Sequence, residues 1–260
     1  NKVFTLRNIP DTYRIYDHIK ETAPRSCAVI GAGFIGLEMA ENLAERGVHV
    51  TVVEGASHVM PPIDMDMAHQ VHNYIRAQGI DLYLGQTCTA MDKDGVILKD
   101  GRKIPADMVI LSIGVRPDTG FLKDSGIELG ARGEILVNSY METSAPDVYA
   151  LGDAASVRHI VSGKQVLIPL ASPANKQGRI VGDNLCGRKT AYKGSQGTSI
   201  MKFFGLTVAV TGEKEESLQA QGRAFCKVIT TSASQAGYYP GGEMMTVKTL
   251  FEPDTGRILG

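Results

Sequence analysis

Residues 26–54 read SCAVIGAGFIGLEMAENLAERGVHVTVVE, and the organisation of the rest of the chain follows from them. Residues 27–30 are a short continuous apolar run, which is typical of a strand buried in a parallel sheet. A G-x-G-x-x-G turn follows at once, then a helical pattern ended by Gly47 and a second apolar strand over 48–53. This order predicts a strand, a tight turn, a helix and a second parallel strand.

The spacing of the glycines suits a dinucleotide. The first glycine permits a tight turn, the second lets the backbone approach a pyrophosphate closely, and the third lets the helix pack against the strand. The diphosphate would then lie at the positive end of the helix. We therefore predict that the whole turn contacts the nucleotide, namely Gly31, Ala32, Gly33, Phe34, Ile35 and Gly36.

Glu54 ends the second strand, eighteen positions after Gly36. An acid about 20 residues past the glycines accepts hydrogen bonds from the adenosine ribose hydroxyls and repels a 2′-phosphate. An accidental glycine-rich turn would not place strand, glycines, helix and terminal acid in register. The segment therefore predicts a dinucleotide site that takes NADH in preference to NADPH.

Composition excludes several classes of function. The chain has 260 residues, and its 27 basic and 28 acidic residues nearly cancel without any block of like charge. A role on nucleic acid or on a membrane surface therefore has no electrostatic support. No apolar run approaches the roughly 18 residues of a membrane span, and the first residues do not resemble a signal peptide. We expect a cytoplasmic α/β protein.

Cysteine and histidine spacing gives no metal site. The cysteines are scattered without a C-x-x-C or Cys/His pattern, and we expect each to be a buried small hydrophobe in a reducing compartment: Cys27, Cys88, Cys186 and Cys226. His69 and His72 are spaced i, i+3 on a helix predicted over 65–77, with Asp64 as its N-cap. That spacing would suit one edge of a metal site, but no carboxylate or cysteine cluster supports it. Surface or half-buried positions are expected for these two residues and for His58.

Strand patterns continue along the chain. Residues 80–104 read as short strands of an antiparallel meander, with turns at 94–95 and 100–101. Residues 107–112 form another buried parallel strand, so Gly114 beyond it should border the same nucleotide. An apolar strand is also predicted over 148–151. Asp153 follows it, either as an acceptor for ribityl or ribose hydroxyls or as a helix cap.

The two ends of the chain look like parts of a longer protein. Residues 3–6 are a short extended piece without an evident strand to pair with, before a helix from about Asp11. From residue 194 alternating strands predominate, and residues 257–260 begin the return strand of an unfinished hairpin. Both ends therefore suggest a truncated chain.

The motifs together resemble those of the FAD-dependent pyridine nucleotide–disulfide oxidoreductases. The nearest group looks like the branch of coenzyme A-disulfide reductases, NADH oxidases and persulfide reductases. The likeness extends over essentially the whole chain and rests on motifs in the family's order: GAGFIGLE (31–38), VEGASHVMPPIDMDMA (53–68), SIGVRPDTGFL (112–122), TSAPDVYALGDAA (143–155), IPLASPANKQGRIVGDNL (168–185) and LFEPDTGRILG (250–260).

The resemblance implies an α/β fold with a Rossmann-like NAD-binding domain, an antiparallel meander, part of an FAD domain and a partial α+β dimerisation domain. Residues 1–23 would be the tail of a first FAD segment, and 24–145 the NAD(H) domain. Residues 146–193 would return to the FAD domain, and 194–260 would begin the interface domain of a homodimer. The cofactors implied are FAD and NAD(H), and a metal is not expected.

The resemblance also assigns roles to single residues. It makes the glycines of the turn and Glu54 contacts of NAD, places Gly114 near the nicotinamide, and makes Glu38 the acid beside the flavin–nicotinamide contact. An ordinary helix-face glutamate is the alternative for Glu38. FAD contacts are implied for the GD pair beside the ribityl–phosphate and for a segment along the flavin pyrimidine edge: Gly152, Asp153, Pro169, Leu170 and Ala171.

Tyr238 and Tyr239 look like the interface-domain tyrosines of the coenzyme A-disulfide and persulfide reductases. A phenol there would reach the partner's active site and could hydrogen-bond or protonate a thiolate or persulfide leaving group. An aromatic turn that only packs at the dimer contact is the alternative. Which of the two tyrosines would point inward is not readable from the sequence.

Two departures from the family pattern affect the function of the chain by itself. The family's first G-x-G-x-x-G and its redox-active cysteine are missing from these residues, and none of the four cysteines has the context to replace that cysteine. We therefore expect weak flavin binding and no disulfide reduction by this chain alone.

In the full protein, hydride would pass from NADH to FAD and on to a cysteine and a small disulfide or persulfide such as coenzyme A disulfide. Two alternatives remain. One is an NADH oxidase, a peroxidase or a reductase of a redox protein, and the other is a non-catalytic NAD(H)-binding domain.

Overall fold

A computed structural model describes residues 2–260, which divide into two compact units. The first unit comprises the chain up to Gly114 together with Ile200–Val208, and the second comprises Val115–Ser199 with Ala209–Gly260. The domain boundaries inferred from the family resemblance are not tested by this division and stay predictions.

The first unit is a parallel sheet with helices and a small meander. Its elements are β1 (Val3–Thr5), α1 (Ile9–Thr22), β2 (Ser26–Ile30), α2 (Phe34–Ala44), β3 (His49–Glu54), α3 (Met65–Ala77), β4 (Asp81–Leu84), β5 (Cys88–Met91), β6 (Gly95–Leu98), β7 (Lys103–Pro105) and β8 (Met108–Leu111). The sheet order is β1-β8-β2-β3-β4, and every pairing in it is parallel. The central strands are apolar because both faces of the sheet are covered. The Rossmann-like α/β fold predicted from residues 26–54 is confirmed.

Two details of this sheet differ from the sequence-based prediction. Residues 3–5 do find a partner, since β1 pairs in parallel with β8, with Val3 opposite Val109. The first strand of the predicted meander also belongs elsewhere, because β4 lies beside β3 as the far edge of the sheet, with Thr51 opposite Asp81. Only β5, β6 and β7 form the antiparallel meander. Local turn signals did not reveal that α3 returns the chain to the sheet edge.

A hairpin from later in the chain packs against the helices of the first unit. It consists of β11 (Ser199–Phe203) and β12 (Leu206–Val210). Its tip is held by two backbone donors: the Phe204 N–H bonds Oε1 of Glu41 at 2.8 Å, and the Gly205 N–H bonds the Tyr74 hydroxyl at 2.9 Å. The Phe203 ring contacts the Tyr74 ring edge-on. The tip of this hairpin is therefore fixed to α2 and α3.

The second unit contains the remaining elements. They are 3-10 turns at Gly120–Leu122 and Gly152–Ala154, β9 (Val157–Arg158), β10 (Gln165–Val166), α4 (Ala171–Leu185), α5 (Glu215–Ala220), β13 (Cys226–Ala233) and β14 (Met244–Phe251). β13 and β14 pair along their whole length as an antiparallel hairpin.

The prediction of an apolar strand over 148–151 was wrong. Within the described residues the β-pairing of this segment is limited to an isolated bridge between Glu142 and Tyr149. Val148 and Leu151 are about 40% exposed, at 39% and 41%. An apolar run forms a regular strand only where neighbouring strands bury it. Among the described residues, no strand pairs with residues 148–151.

Some predictions for the cysteines and histidines were also wrong. Cys27 is buried, but Cys186 follows the last turn of α4 and Cys226 begins an outward hairpin, so both are exposed. His58 and His72 are buried rather than surface or half-buried, with 5% and 2% exposure.

Asp64 does occupy the N-cap position of α3, although its side chain makes no capping hydrogen bond. Among residues 2–260 there is no cluster of three or more His, Cys, Asp or Glu side chains fit to hold a metal ion. No helix in that range is long and apolar enough to cross a membrane.

Candidate functional site: two uncapped helix N-termini

The glycine turn between β2 and α2 is shaped by contacts with the end of β8. Gly31 has a φ of +104°, and a Cβ there would lie 2.4 Å from the Ser112 carbonyl oxygen. A Cβ on Gly36 would lie 1.9 Å from the Gly31 oxygen. At Gly33, by contrast, a Cβ would meet no atom of the described chain within 4 Å. The first and third glycines are therefore required by the protein's own packing, whereas the second borders open space.

Ser112 holds this turn and was missed in the sequence analysis. Its hydroxyl lies 3.0 Å from the carbonyl oxygens of both Ile30 and Gly31, and it can donate to either. The same hydroxyl lies 2.6 Å from where a Gly36 Cβ would be. The available signal was its position at the end of an apolar strand, because the carboxyl ends of adjacent parallel strands meet at one edge of the sheet.

The start of α2 offers backbone donors to an anion. Gly33 is its N-cap residue, in extended conformation, and no side chain of the described residues caps the helix there. The first N–H groups of a helix have no intrahelical partner and carry the positive end of the helix dipole. Together with the open space at Gly33, this arrangement fits the diphosphate of a dinucleotide.

Glu54 lies beside this turn and is half-buried. Its Oε2 accepts the Ala32 N–H at 2.7 Å, and its Oε1 accepts the Ala56 N–H at 2.8 Å. Each carboxylate oxygen has a second lone pair, so both can still accept from a ligand hydroxyl. The structure thus brings Glu54 and the glycine turn together, as the spacing predicted.

Two other predicted site residues belong to the first unit: Gly114 follows the end of β8, and Glu38 lies on α2. Gly114 follows Ser112 by two residues, has a φ of +100°, and would place a Cβ in open space within the described chain. Glu38 lies on α2 and is exposed, and its carboxylate has no hydrogen-bond partner in the part of the chain described. The hydrogen bonds of the Glu54 carboxylate within the described chain go to Ala32 and Ala56 and not to either of these residues.

A second helix N-terminus lies in the second unit. Gly152 has a φ of +81°, and its N–H donates to Oε1 of Gln177 on α4 at 2.7 Å. A Cβ on Gly152 would lie 3.9 Å from Ala174 Cβ, so this turn packs on the first half of α4. Leu170 is the N-cap of α4, and no side chain of the described residues caps it. Gly152 therefore lies close to the helix that begins with the predicted segment 169–171.

Asp153 is exposed and, among the residues described, has no hydrogen-bond partner. The N-cap positions of the adjacent 3-10 turn and of α4 are taken by Leu151 and Leu170, so Asp153 is not a helix cap in this structure. Gln177, which is 1% exposed, was missed because the sequence pattern gave no reason to select one amide on a polar helix.

Tyr238 and Tyr239 lie in the turn between β13 and β14. Their ring centroids are 4.7 Å apart, and the side chains are 82% and 58% exposed. The side chain of Gln235 closes the turn by donating to the Pro240 carbonyl at 2.8 Å. Both phenols therefore face outward from the hairpin tip.

Burial affects the reactivity of two cysteine thiols. It raises the pKa of Cys27 to about 12, and burial also raises the pKa of Cys88. The thiolate is the nucleophilic form, so neither thiol is poised for redox chemistry.

Comparison with known proteins shows the family of the chain. The family model described as pyridine nucleotide-disulphide oxidoreductase matches residues 1–178. The chain therefore belongs to the pyridine nucleotide-disulphide oxidoreductase family.

Individual relatives cover the whole chain. A CoA-dependent NAD(P)H sulfur oxidoreductase of Pyrococcus furiosus is 33% identical over 99% of this chain and 59% of its own length. The reduced CoADR-RHD structure of Bacillus anthracis is 45% identical with a TM-score of 0.97, covering 100% of this chain and 47% of that one. The water-forming NADH oxidase of Lactobacillus brevis, bound to NADH, is 32% identical with a TM-score of 0.92, covering 100% and 58%. The chain thus spans about half to three fifths of these relatives.

Proposed function

We propose that this chain carries the NADH site and part of the FAD site of a flavoprotein oxidoreductase. The observation that carries the proposal is the turn at Gly33, where open space, the uncapped start of α2 and the Glu54 carboxylate lie together. In the whole protein, two electrons from NADH would pass through FAD to a cysteine and reduce one small disulfide or persulfide. A disulfide takes up two electrons and two protons to give two thiols, and coenzyme A disulfide is a substrate of the right kind.

The residues of the first unit would bind and orient NADH. The free N–H groups at the start of α2 bind its diphosphate, and Glu54 accepts from its adenosine ribose hydroxyls. A 2′-phosphate would bring negative charge against that carboxylate, so NADH is preferred to NADPH. Gly114 lies near the nicotinamide, and Glu38 lies beside its contact with the flavin.

The residues of the second unit would hold part of FAD. Asp153 accepts from ribityl hydroxyls beside the start of α4, with Gly152 held by Gln177. The segment 169–171 borders the pyrimidine edge of the flavin. The bound flavin supplies the hydride acceptor, and the protein supplies position and surrounding charge.

The exposed hairpin would build a homodimer in the cytoplasm. Tyr238 or Tyr239 at its tip would donate a hydrogen bond or a proton to a thiolate or persulfide leaving group in the partner's site. The predicted division into segments 1–23, 24–145, 146–193 and 194–260 is retained as part of this proposal.

A second candidate function keeps the flavin and changes the acceptor. The likeness to the water-forming NADH oxidase of Lactobacillus brevis favours O₂ as that acceptor. The two functions differ in whether turnover requires a sulfur substrate.

The test uses the full-length protein in two stages. Anaerobic NADH should abolish the visible absorption of the bound flavin, and coenzyme A disulfide should then restore it with release of two thiols per NADH. Restoration by O₂ at a much higher rate than by the disulfide would favour the oxidase. The absence of flavin in the purified protein would overturn both.

A further inference from the structure

The loop between β3 and α3, residues 55–63, is unusually buried for a connection. Val59, Met60 and Ile63 are 0%, 1% and 5% exposed. The Met60 N–H donates to the Ala32 carbonyl in the glycine turn at 2.9 Å, and Met60 has a left-handed φ of 54°. A non-glycine residue persists in that conformation only where its surroundings enforce it.

His72 of α3 holds the residue next to Met60. Its Nε2 accepts the Val59 N–H at 3.2 Å, and the side chain is 2% exposed. An N–H group can only donate, so Nε2 carries no proton and the ring is neutral. Burial, with additional effects of His69, Arg76 and His58, lowers the pKa of His72 to about 4. The accepting form is therefore the one present at neutral pH.

The result is a path from α3 to the nucleotide site, made of three hydrogen bonds linked by neighbouring backbone groups. His72 holds the Val59 amide, the adjacent Met60 amide holds the Ala32 carbonyl, and the Ala32 amide is held by Glu54. Every group in this path except His72 belongs to the glycine turn, to β3 or to the loop that follows it. His72 is thus an anchor that lies outside the site it supports.

A shared metal does not explain the buried histidines. His58 directs its Nδ1 to the Val59 carbonyl at 2.8 Å, and because a carbonyl only accepts, that nitrogen donates. Val59 is therefore held on both sides, its carbonyl by His58 and its amide by His72. The pair of histidines fixes one peptide segment.

We propose that His72 is a positioning residue for the adenosine half of the nucleotide site. It holds the Val59 amide, and the adjacent Met60 amide in turn holds the Ala32 carbonyl of the glycine turn. This proposal rests on the NADH site proposed above. Loss of the acceptor would leave a buried amide unsatisfied and would relax the loop away from the ribose-binding carboxylate.

The test compares His72→Leu with His72→Gln. Leucine has similar bulk but no acceptor, whereas a glutamine oxygen reaches about as far as Nε2 of histidine. In isothermal titration, His72→Leu should bind both NADH and ADP-ribose at least about fivefold more weakly, because a buried amide loses its partner. His72→Gln should stay within about twofold of the unmutated protein, since it restores the hydrogen bond. The control Gln70→Leu introduces leucine at an exposed position of the same helix and should have no effect.

The outcomes separate this proposal from the one it rests on. If the unmutated protein binds neither NADH nor ADP-ribose, the proposed site is wrong and this proposal is wrong with it. If it binds both and His72→Leu binds them equally well, only the role of His72 is overturned. An equal loss of affinity in His72→Leu and His72→Gln would also overturn it, because the loss would then not depend on the hydrogen-bond acceptor.

A measurement on the unmutated protein covers the case in which His72→Leu fails to fold. ADP-ribose should slow amide hydrogen exchange across residues 55–63, with the Val59 and Met60 amides among those protected. Unchanged exchange in this loop on saturation with ADP-ribose would contradict the proposal.

Discussion

At the scale of single residues, the three glycines of the turn have different physical requirements despite their common motif. Gly31 has a positive φ, and the Ser112 carbonyl leaves no room for a Cβ there. Gly33 has an ordinary φ of −79°, and a Cβ there would meet no atom of the described chain. The motif itself predicted the ligand-facing role of the second glycine. It did not reveal Ser112, because that residue comes from a strand about eighty positions away along the chain.

Substitution of the two glycines should separate folding from binding. Gly33→Ala should leave the thermal midpoint within a degree or two, because its Cβ meets no protein atom, yet weaken NADH binding about tenfold by obstructing the diphosphate. Gly31→Ala should cost at least about 2 kcal/mol of the free energy of unfolding. Thermal unfolding and NADH titration of both variants check this. Stable Gly31→Ala or unimpaired binding by Gly33→Ala would contradict the assignment.

His72 should make the stability of the protein depend on pH. Its pKa is about 4 in the folded state against an ordinary value of 6.5, so the unfolded chain binds the proton first as pH falls. The free energy of unfolding should therefore decrease from about pH 6.5 to about pH 4, by about 1 to 3 kcal/mol. His72→Gln should lack this part of the decrease, as measured by denaturant titration across that range. Parallel pH dependence in the two proteins would contradict it.

At the scale of elements, strands and helices with a strong local pattern were predicted well and those that depend on distant partners were not. The buried strands β2, β3 and β8 have continuous apolar runs that need both faces covered. The pairing of β1 with β8 and of β4 with β3 is set by the sheet, so short local segments could not show it. Residues 148–151 had the composition of a strand without flanking strands to pair with.

The turn at Gly152–Ala154 and the start of α4 allow a test of the flavin site. Asp153→Asn should leave stability unchanged, because the carboxylate is exposed and has no partner in the chain as described. The same change should lower the flavin content of the purified full-length protein several-fold, since the amide accepts more weakly from ribityl hydroxyls. Asp254→Asn, in the exposed turn after β14, is a matched control. Full flavin content in Asp153→Asn would remove this residue from the site.

At the scale of the whole molecule, the hairpin of β13 and β14 has exposed apolar side chains on one of its faces. On one face Lys227 and Lys248 contact Glu215 of α5. Strand register places Val228, Met245 and Val247 on the opposite face, and they are 40–47% exposed. An exposed apolar strand face of this kind is typical of a protein–protein contact.

A charge on that face should break the proposed homodimer. Val247→Glu should convert dimer to monomer in analytical ultracentrifugation, because it would bury an unpaired carboxylate at the contact. Gln70→Glu, which adds the same charge at an exposed position of α3 outside this hairpin, is the control and should stay dimeric. An unmutated protein that is monomeric, or a Val247→Glu variant that stays dimeric, would contradict the interface.

The most direct test of the account as a whole is isothermal titration of the protein with NADH and with NADPH, repeated on Glu54→Gln. The carboxylate of Glu54 beside the glycine turn predicts that NADH binds at least about tenfold more tightly than NADPH. Glu54→Gln should reduce that ratio, because the charge that repels the 2′-phosphate is removed. Tighter binding of NADPH, or an unchanged ratio in Glu54→Gln, would contradict the account.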